Sequence, residues 1–147
     1  MRIAIGCDHR GLDFKRFVMK VVTDAGHTCT DSGCYTTDSV DYPDIAQKVG
    51  EAVARAEADR GILICGTGLG VSMAANKVHG IRAALCRDTF MAERARLHND
   101  ANILCLGAEY GEKGVPEIVQ TFLITGFEGD RHKRRLDKMA KLEKTKS

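Results

Sequence analysis

The feature that most constrains this chain is a rhythm. Short, wholly apolar runs alternate with longer stretches whose apolar residues recur every three or four positions. "RIAIGC" (2–7), "GILICG" (61–66), "IRAALC" (81–86) and "ANILCLG" (101–107) are runs of the first kind, and "TCTDSG" (28–33) is a weaker one. The intervening segments read as helices. They are "LDFKRFVMKVVTDAG" (12–26), closed by Gly26; "DIAQKVGEAVARAEAD" (44–59), entered through Pro43; Gly70–Val78; residues 89–98; and "VPEIVQTFLITG" (115–126), with Pro116 in its first turn. Strands that are apolar throughout belong to parallel sheets covered on both faces. The pattern predicts a single doubly wound, Rossmann-like α/β domain over residues 1–147. It has a five-stranded parallel sheet, helices on both faces and a C-terminal basic helix over 130–147.

Composition narrows the function classes. With 147 residues, 44% hydrophobic and 29% charged, the chain can bury a real core. No apolar run approaches the roughly 20 residues needed to cross a bilayer. The opening "MRIAIGCDHRG" is too short in apolar length for a secretory signal, so the cytoplasm is the expected compartment. There at least five of the six cysteines are expected to be free thiols, and no C-x-x-C pair suggests structural zinc. The net charge of +2 hides an asymmetry: residues 130–147 carry eight Lys/Arg against three Asp/Glu, and the remainder 14 against 17. A nucleic-acid partner is not expected, because no aromatic residue interleaves this basic stretch. Leu136, Met139, Ala140 and Leu142 fall on one helix face, which leaves the charges as its solvated side.

In doubly wound sheets ligands bind beyond the carboxyl ends of the strands. That rule selects Gly6-Cys7-Asp8-His9, Cys65-Gly66-Thr67-Gly68, Cys86-Arg87-Asp88 and Gly107-Ala108-Glu109. The loop Gly66-Thr67-Gly68-Leu69-Gly70-Val71 fails the dinucleotide fingerprint, whose sixth position it fills with valine, and it lacks the Gly-Lys-Ser/Thr of a P-loop. It still leads small residues into a helix N-terminus, where backbone N–H groups can stabilise a phosphate or a reaction oxyanion; a steric turn for close helix packing is the alternative. Cys65, at the mouth of this loop, is placed for thiolate stabilisation and could act as nucleophile or base. Asp8 and His9 could grip sugar hydroxyls or pass a proton, while Asp8 could equally cap the following helix. His98 and Asn99 close a helix, where a histidine can simply complement the dipole. Arg131 and Arg135 are four apart and suit a phosphate dianion, or a solvated face.

"GCDHRG", "DYPDIA", "GILICGTGLGVSMAANKVHGIRAALC", "HNDANILCLG" and "GDRHKRR" occur together in an order that closely resembles the type B ribose-5-phosphate isomerases, a family that includes galactose- and allose-6-phosphate isomerases. The resemblance runs from Ile3 to about Leu136. It implies an aldose–ketose isomerase without metal or organic cofactor, working through an enediolate. By position it implies Cys65 as the base between carbons 1 and 2. Thr67 and the amides of Gly66, Gly68 and Gly70 would steady the developing oxyanion, and His98 would open the furanose ring. Asp8, His9, Tyr42 and Asn99 match sugar-binding positions; His9, Arg131 and Arg135 match the phosphate end. A homodimer with the site between subunits is implied, the His98-Asn99 segment coming from the partner, and a tetramer stays open. Glu109 stands where relatives commonly carry an arginine. A carboxylate there would repel phosphate, so other phosphorylated pentoses, tetroses or hexoses remain open as substrates. A non-catalytic sugar-phosphate-binding module remains open as well.

Overall fold

In a computed structural model that describes residues 1–144, the apolar runs become one sheet. Its strands are β1 (Arg2–Cys7), β2 (Thr28–Asp31), β3 (Arg60–Cys65), β4 (Ala83–Leu85) and β5 (Ile103–Gly107). Their order is β2-β1-β3-β5-β4, and every neighbouring pair is parallel. The helices are α1 (Leu12–Asp24), α2 (Tyr42–Ala54), α3 (Leu69–Ala75), α4 (Thr89–Asn99), α5 (Val115–Ile124) and α6 (Arg131–Lys144). Right-handed crossovers place α2 and α3, which pack together, on one face; α1, α5 and α4 cover the other. The α/β architecture expected from the alternation is therefore present. Residues 145–147 of the predicted basic helix lie outside the described residues.

Both faces being covered explains why the strands are apolar at consecutive positions. Ile62, Leu63 and Ile64 in β3 are all fully buried, as are Ile3 and Ile5 in β1 and Ile103 and Leu104 in β5. Each such side chain contributes about 1.5–3 kcal/mol by leaving water. The edge strands are different. β2 alternates between exposed and half-buried residues, and β4 is half-buried throughout.

The structure shortens several predicted elements, each for a local reason. α2 stops at Ala54 rather than running to residue 59, and Ala56 adopts a left-handed φ of 59°. Asp59 instead accepts from the Arg2 backbone N–H at 2.7 Å, which aligns the start of β3 with β1. α3 ends at Ala75 because the Asn76 side chain bonds both N–H and C=O of Ala83 at 2.8 and 2.9 Å, as a strand residue would. β5 begins at Ile103, since the Asn102 side chain is taken up by Arg82 N and Gly80 O, each at 2.8 Å. The predicted helix closure at Gly26 is correct: it follows α1 with φ 88°.

The chain leaves β1 toward β2 and returns across β1 to β3, so the crossovers diverge between β1 and β3. In register, Cys7 lies opposite Ile64 and Cys65 opposite Gly107. The carboxyl ends of β1, β3 and β5 thus meet at one place, the crevice where doubly wound sheets hold ligands.

Candidate active site

Cys65 ends β3 and is almost wholly buried. The chain leaves it through Gly66, Thr67 and Gly68 and enters α3 at Leu69. Gly68 has φ 80°, and a Cβ there would lie 2.6 Å from Leu85 Cδ1 and 3.0 Å from the Leu106 carbonyl carbon. Only glycine fits both the conformation and the space. The same twist turns the Gly68 N–H back to donate to Cys65 Sγ at 3.1 Å. That bond fixes the sulfur against the start of α3. The sequence expectation placed this amide toward a substrate oxygen; it faces the sulfur instead. Thr67 Oγ1 accepts from Leu69 N at 3.3 Å and so fastens the first turn of α3. Tyr42, the first residue of α2, lies flat on Gly70, where a Cβ would be 2.7 Å from the ring.

Among the other cysteines, burial pushes the Cys7 and Cys86 thiols up to about 12 and the Cys105 thiol up as well. These are packing residues, and all six cysteines are free.

The end of β1 supplies the facing wall. Asp8 is buried, and its carboxylate accepts from Arg10 N at 3.0 Å, which folds the turn. It does not cap α1; Gly11 occupies the N-cap, with no side-chain bond. His9 Nδ1 accepts from Val40 N at 3.2 Å, which puts the proton of a neutral ring on Nε2. The loop carrying Val40 is anchored by Lys15, which is 1% exposed and donates to Asp31 Oδ1 at 2.6 Å and Cys34 O at 2.5 Å. Glu109 N donates to Gly66 O at 2.9 Å, and the Glu109 carboxylate meets the Arg10 guanidinium at 2.6 Å. The third selected strand end has structural duties. Asp88 caps α4 by accepting from Met91 N at 2.7 Å, and Arg87 lies over the Tyr110 ring at 4.0 Å.

The remaining predicted site residues are elsewhere. α4 runs back against the strand direction to deliver the chain to the start of β5, so His98 and Asn99 lie at the amino end of the sheet. The length of β5, about 17 Å, separates that end from Cys65. His98 stacks on His132 with centroids 4.2 Å apart and planes 14° apart. Glu128 Oε2 approaches both Nε2 atoms, at 3.6 and 3.5 Å. Burial, then the neighbouring His98 and Arg131, lower the His132 pKa. These three residues bring potential ligand atoms within 4.8 Å of one another. With the rings stacked, their lone pairs run side by side rather than converging, and the buried His132 Nε2 has no hydrogen-bond partner among the described residues. His98, Arg94 and Arg131 line an open cleft of about 640 Å³. Arg135 follows one turn later on α6 and is exposed.

Within one chain, then, the fold brings together Cys65, Gly66, Thr67, Gly68, Gly70, Asp8, His9 and Tyr42. It keeps His98, Asn99, Arg131 and Arg135 apart from them. Sequence reasoning passed over Arg10, Glu128 and His132. Arg10 sits directly after the Asp8-His9 pair, and Glu128 and His132 have four-residue spacing, but Gly129 breaks any helix between the latter two.

A sequence model described as Ribose/Galactose Isomerase matches residues 3–139. The chain belongs to the ribose/galactose isomerase family. Among members of that family, the ribose-5-phosphate isomerase B of Escherichia coli is 40% identical, with 99% of each chain covered. The solved structure of ribose-5-phosphate isomerase B from Clostridium thermocellum superposes with a TM-score of 0.98 at 49% identity, covering 100% of both chains. That of the Mycoplasma genitalium ribose-5-phosphate isomerase B, with bound ribulose-5-phosphate, gives a TM-score of 0.91 at 42% identity, covering 97% of this chain and 96% of that one. As in other members of the ribose/galactose isomerase family, the sheet and its covering helices form the whole frame on which these site residues stand. No helix among the described residues is long and apolar enough to cross a membrane.

Proposed function

We propose that this chain is an aldose–ketose isomerase that interconverts ribose 5-phosphate and ribulose 5-phosphate, working as a single domain. The observation that carries this reading is the Gly68 N–H donated to Cys65 Sγ at 3.1 Å, at the crevice between β1 and β3. Membership of the ribose/galactose isomerase family supports it. The Cys65 thiolate takes the proton from carbon 2 of the open-chain aldose, and the electron pair moves to the carbonyl oxygen on carbon 1. The resulting enediolate transfers a proton between its two oxygens, and the thiol returns its proton to carbon 1. No electron or group leaves the substrate, so the chemistry requires neither metal nor organic cofactor. The amides of Gly66 and Gly70, with Thr67, steady the oxyanion, while the Gly68 amide holds the sulfur. Asp8, His9 and Tyr42 orient the sugar.

The ring-opening acid–base residue, His98, comes from a second subunit, with Asn99, Arg131 and Arg135. Two observations support a homodimer. His98 lies at the wrong end of its own sheet, and the apolar Tyr42, Leu69 and Met73 are exposed beside the Cys65 loop, where a partner would cover them. Six free cysteines suit a reducing compartment, the cytoplasm.

The test is turnover of ribose 5-phosphate in deuterated water by the wild type and by Cys65→Ala. The expected result is isomerisation with solvent deuterium at carbon 1 or 2, lost by about a thousandfold or more in the variant while sugar-phosphate binding persists. Unchanged turnover in Cys65→Ala removes the role of the thiolate. Binding without proton exchange in the wild type favours a non-catalytic module.

A further inference from the structure

Glu109 raises a charge problem that the fold answers. Its backbone is tied to Gly66 O, and its carboxylate lies only 2.8 Å from where a Gly66 Cβ would stand. A bare carboxylate next to the catalytic loop would repel a phosphorylated substrate. It is not bare: Arg10 Nη2 contacts Glu109 Oε1 at 2.6 Å. That contact uses one corner of the guanidinium. The other terminal nitrogen, Nη1, lies over Gly66, 3.2 Å from the same Cβ position. Among the described residues, the Arg10 side chain has no second hydrogen-bonded partner, so donors remain beside the loop that holds Cys65.

The backbone beneath Arg10 is fixed. Asp8 accepts from Arg10 N at 3.0 Å, and Gly11 N donates to Asp8 O at 3.1 Å, so the turn projects His9 and Arg10 in a set direction. His9 and Arg10 line a cleft of about 390 Å³ with Thr37 and Ala108. Its acidic members are Asp13, which Arg16 engages at 3.1 Å, and Glu112. A guanidinium held by a carboxylate on one corner and open on the other is pre-organised to take an anionic oxygen.

We propose that Arg10, positioned by Glu109 across the face of Gly66, is the cation contributed by this chain's own β1–α1 turn that receives the substrate's phosphate, together with His9. This rests on the sugar-phosphate reading above and deepens it. Glu109 becomes the anchor of a phosphate-binding arginine rather than an obstacle to phosphate.

The test is calorimetric titration of inorganic phosphate into the wild type, Arg10→Ala and Arg10→Lys, with steady-state kinetics on ribose 5-phosphate for each. Arg10→Ala is expected to weaken phosphate binding about tenfold to a hundredfold and to raise KM in parallel, with kcat changed less than about threefold. Arg10→Lys, which keeps the charge without the fork, is expected to fall between the two. The melting temperature of each variant reports whether the fold is retained. Phosphate affinity and KM in Arg10→Ala within about twofold of the wild type overturn the proposal. A raised KM with unchanged phosphate affinity overturns it too, because Arg10 would then act on shape and not on the anion. If the wild type does not isomerise ribose 5-phosphate but Arg10→Ala still loses phosphate, the isomerase reading fails and the phosphate site stands.

Discussion

The two ends of the sheet carry different halves of the candidate chemistry, and they are built differently. At the carboxyl end, every element of the Cys65 loop is locked. The sulfur receives an amide, Thr67 fastens α3, Tyr42 covers Gly70, and Lys15 braces the loop behind His9. At the amino end, His98 is about one-third exposed, rests on His132, and faces an open cleft with two arginines. The first is a finished pocket wall. The second is a set of groups presented outward, waiting for something to act on. The contrast teaches that a buried thiol is held by its own loop, whereas groups at the far end of the sheet are left free to face outward.

The largest effect that could break this division is complementation. In the proposed homodimer, Cys65→Ala and His98→Ala should each be inactive. After subunit exchange of an equal mixture, half the dimers are mixed and each has one intact site, so about a quarter of wild-type activity should return. No recovery, with exchange verified by mass spectrometry, would place both residues in one subunit's site. A sharper probe of the rigid end is Gly68→Ala. The left-handed φ and the contact with Leu85 together should destabilise the fold by about 3–4 kcal/mol, read by urea denaturation, and should disable turnover in what remains folded. Somewhat smaller is Lys15→Ala, which leaves Asp31 without its partner in a half-buried place. A loss of about 2–3 kcal/mol is expected, with partial recovery in Lys15→Met. A loss under about 1 kcal/mol would mean that the loop behind His9 is braced by something other than this lysine.

The smallest effect concerns the amino end. His132 has its pKa lowered below the ordinary 6.5 by burial, then by His98 and Arg131, with Arg135 acting the same way and Glu128 opposing. The unfolded chain therefore binds the proton more readily than the folded one, and stability falls as pH drops below about 6.5. Denaturation midpoints at pH 7.5 and 5.5 should differ, and the difference should shrink in His132→Phe. An undiminished difference in that variant would assign the pH dependence to other groups.

Much of the frame was legible because burial on both faces writes itself into consecutive apolar residues, as at Ile62, Leu63 and Ile64. Element ends were less legible. α3 and β4 are bounded by the Asn76 side chain bonding to Ala83, a long-range contact with no local periodicity. The family resemblance named Cys65, Thr67 and His98 as a set, but linear order cannot say that α4 turns its end away from Cys65. Nor could it show Arg10 reaching Glu109, 99 positions along the chain.

What the sequence alone determined was the alternating α/β frame, the glycine at position 68 and the cysteine that precedes it. These follow from local sterics and from which residues must leave water. What only the tertiary structure decided was the direction of the Gly68 amide, the pairing that neutralises Glu109 and the separation of His98 from Cys65. Each depends on distances between segments far apart in the chain, which crossovers and packing set and no local pattern encodes.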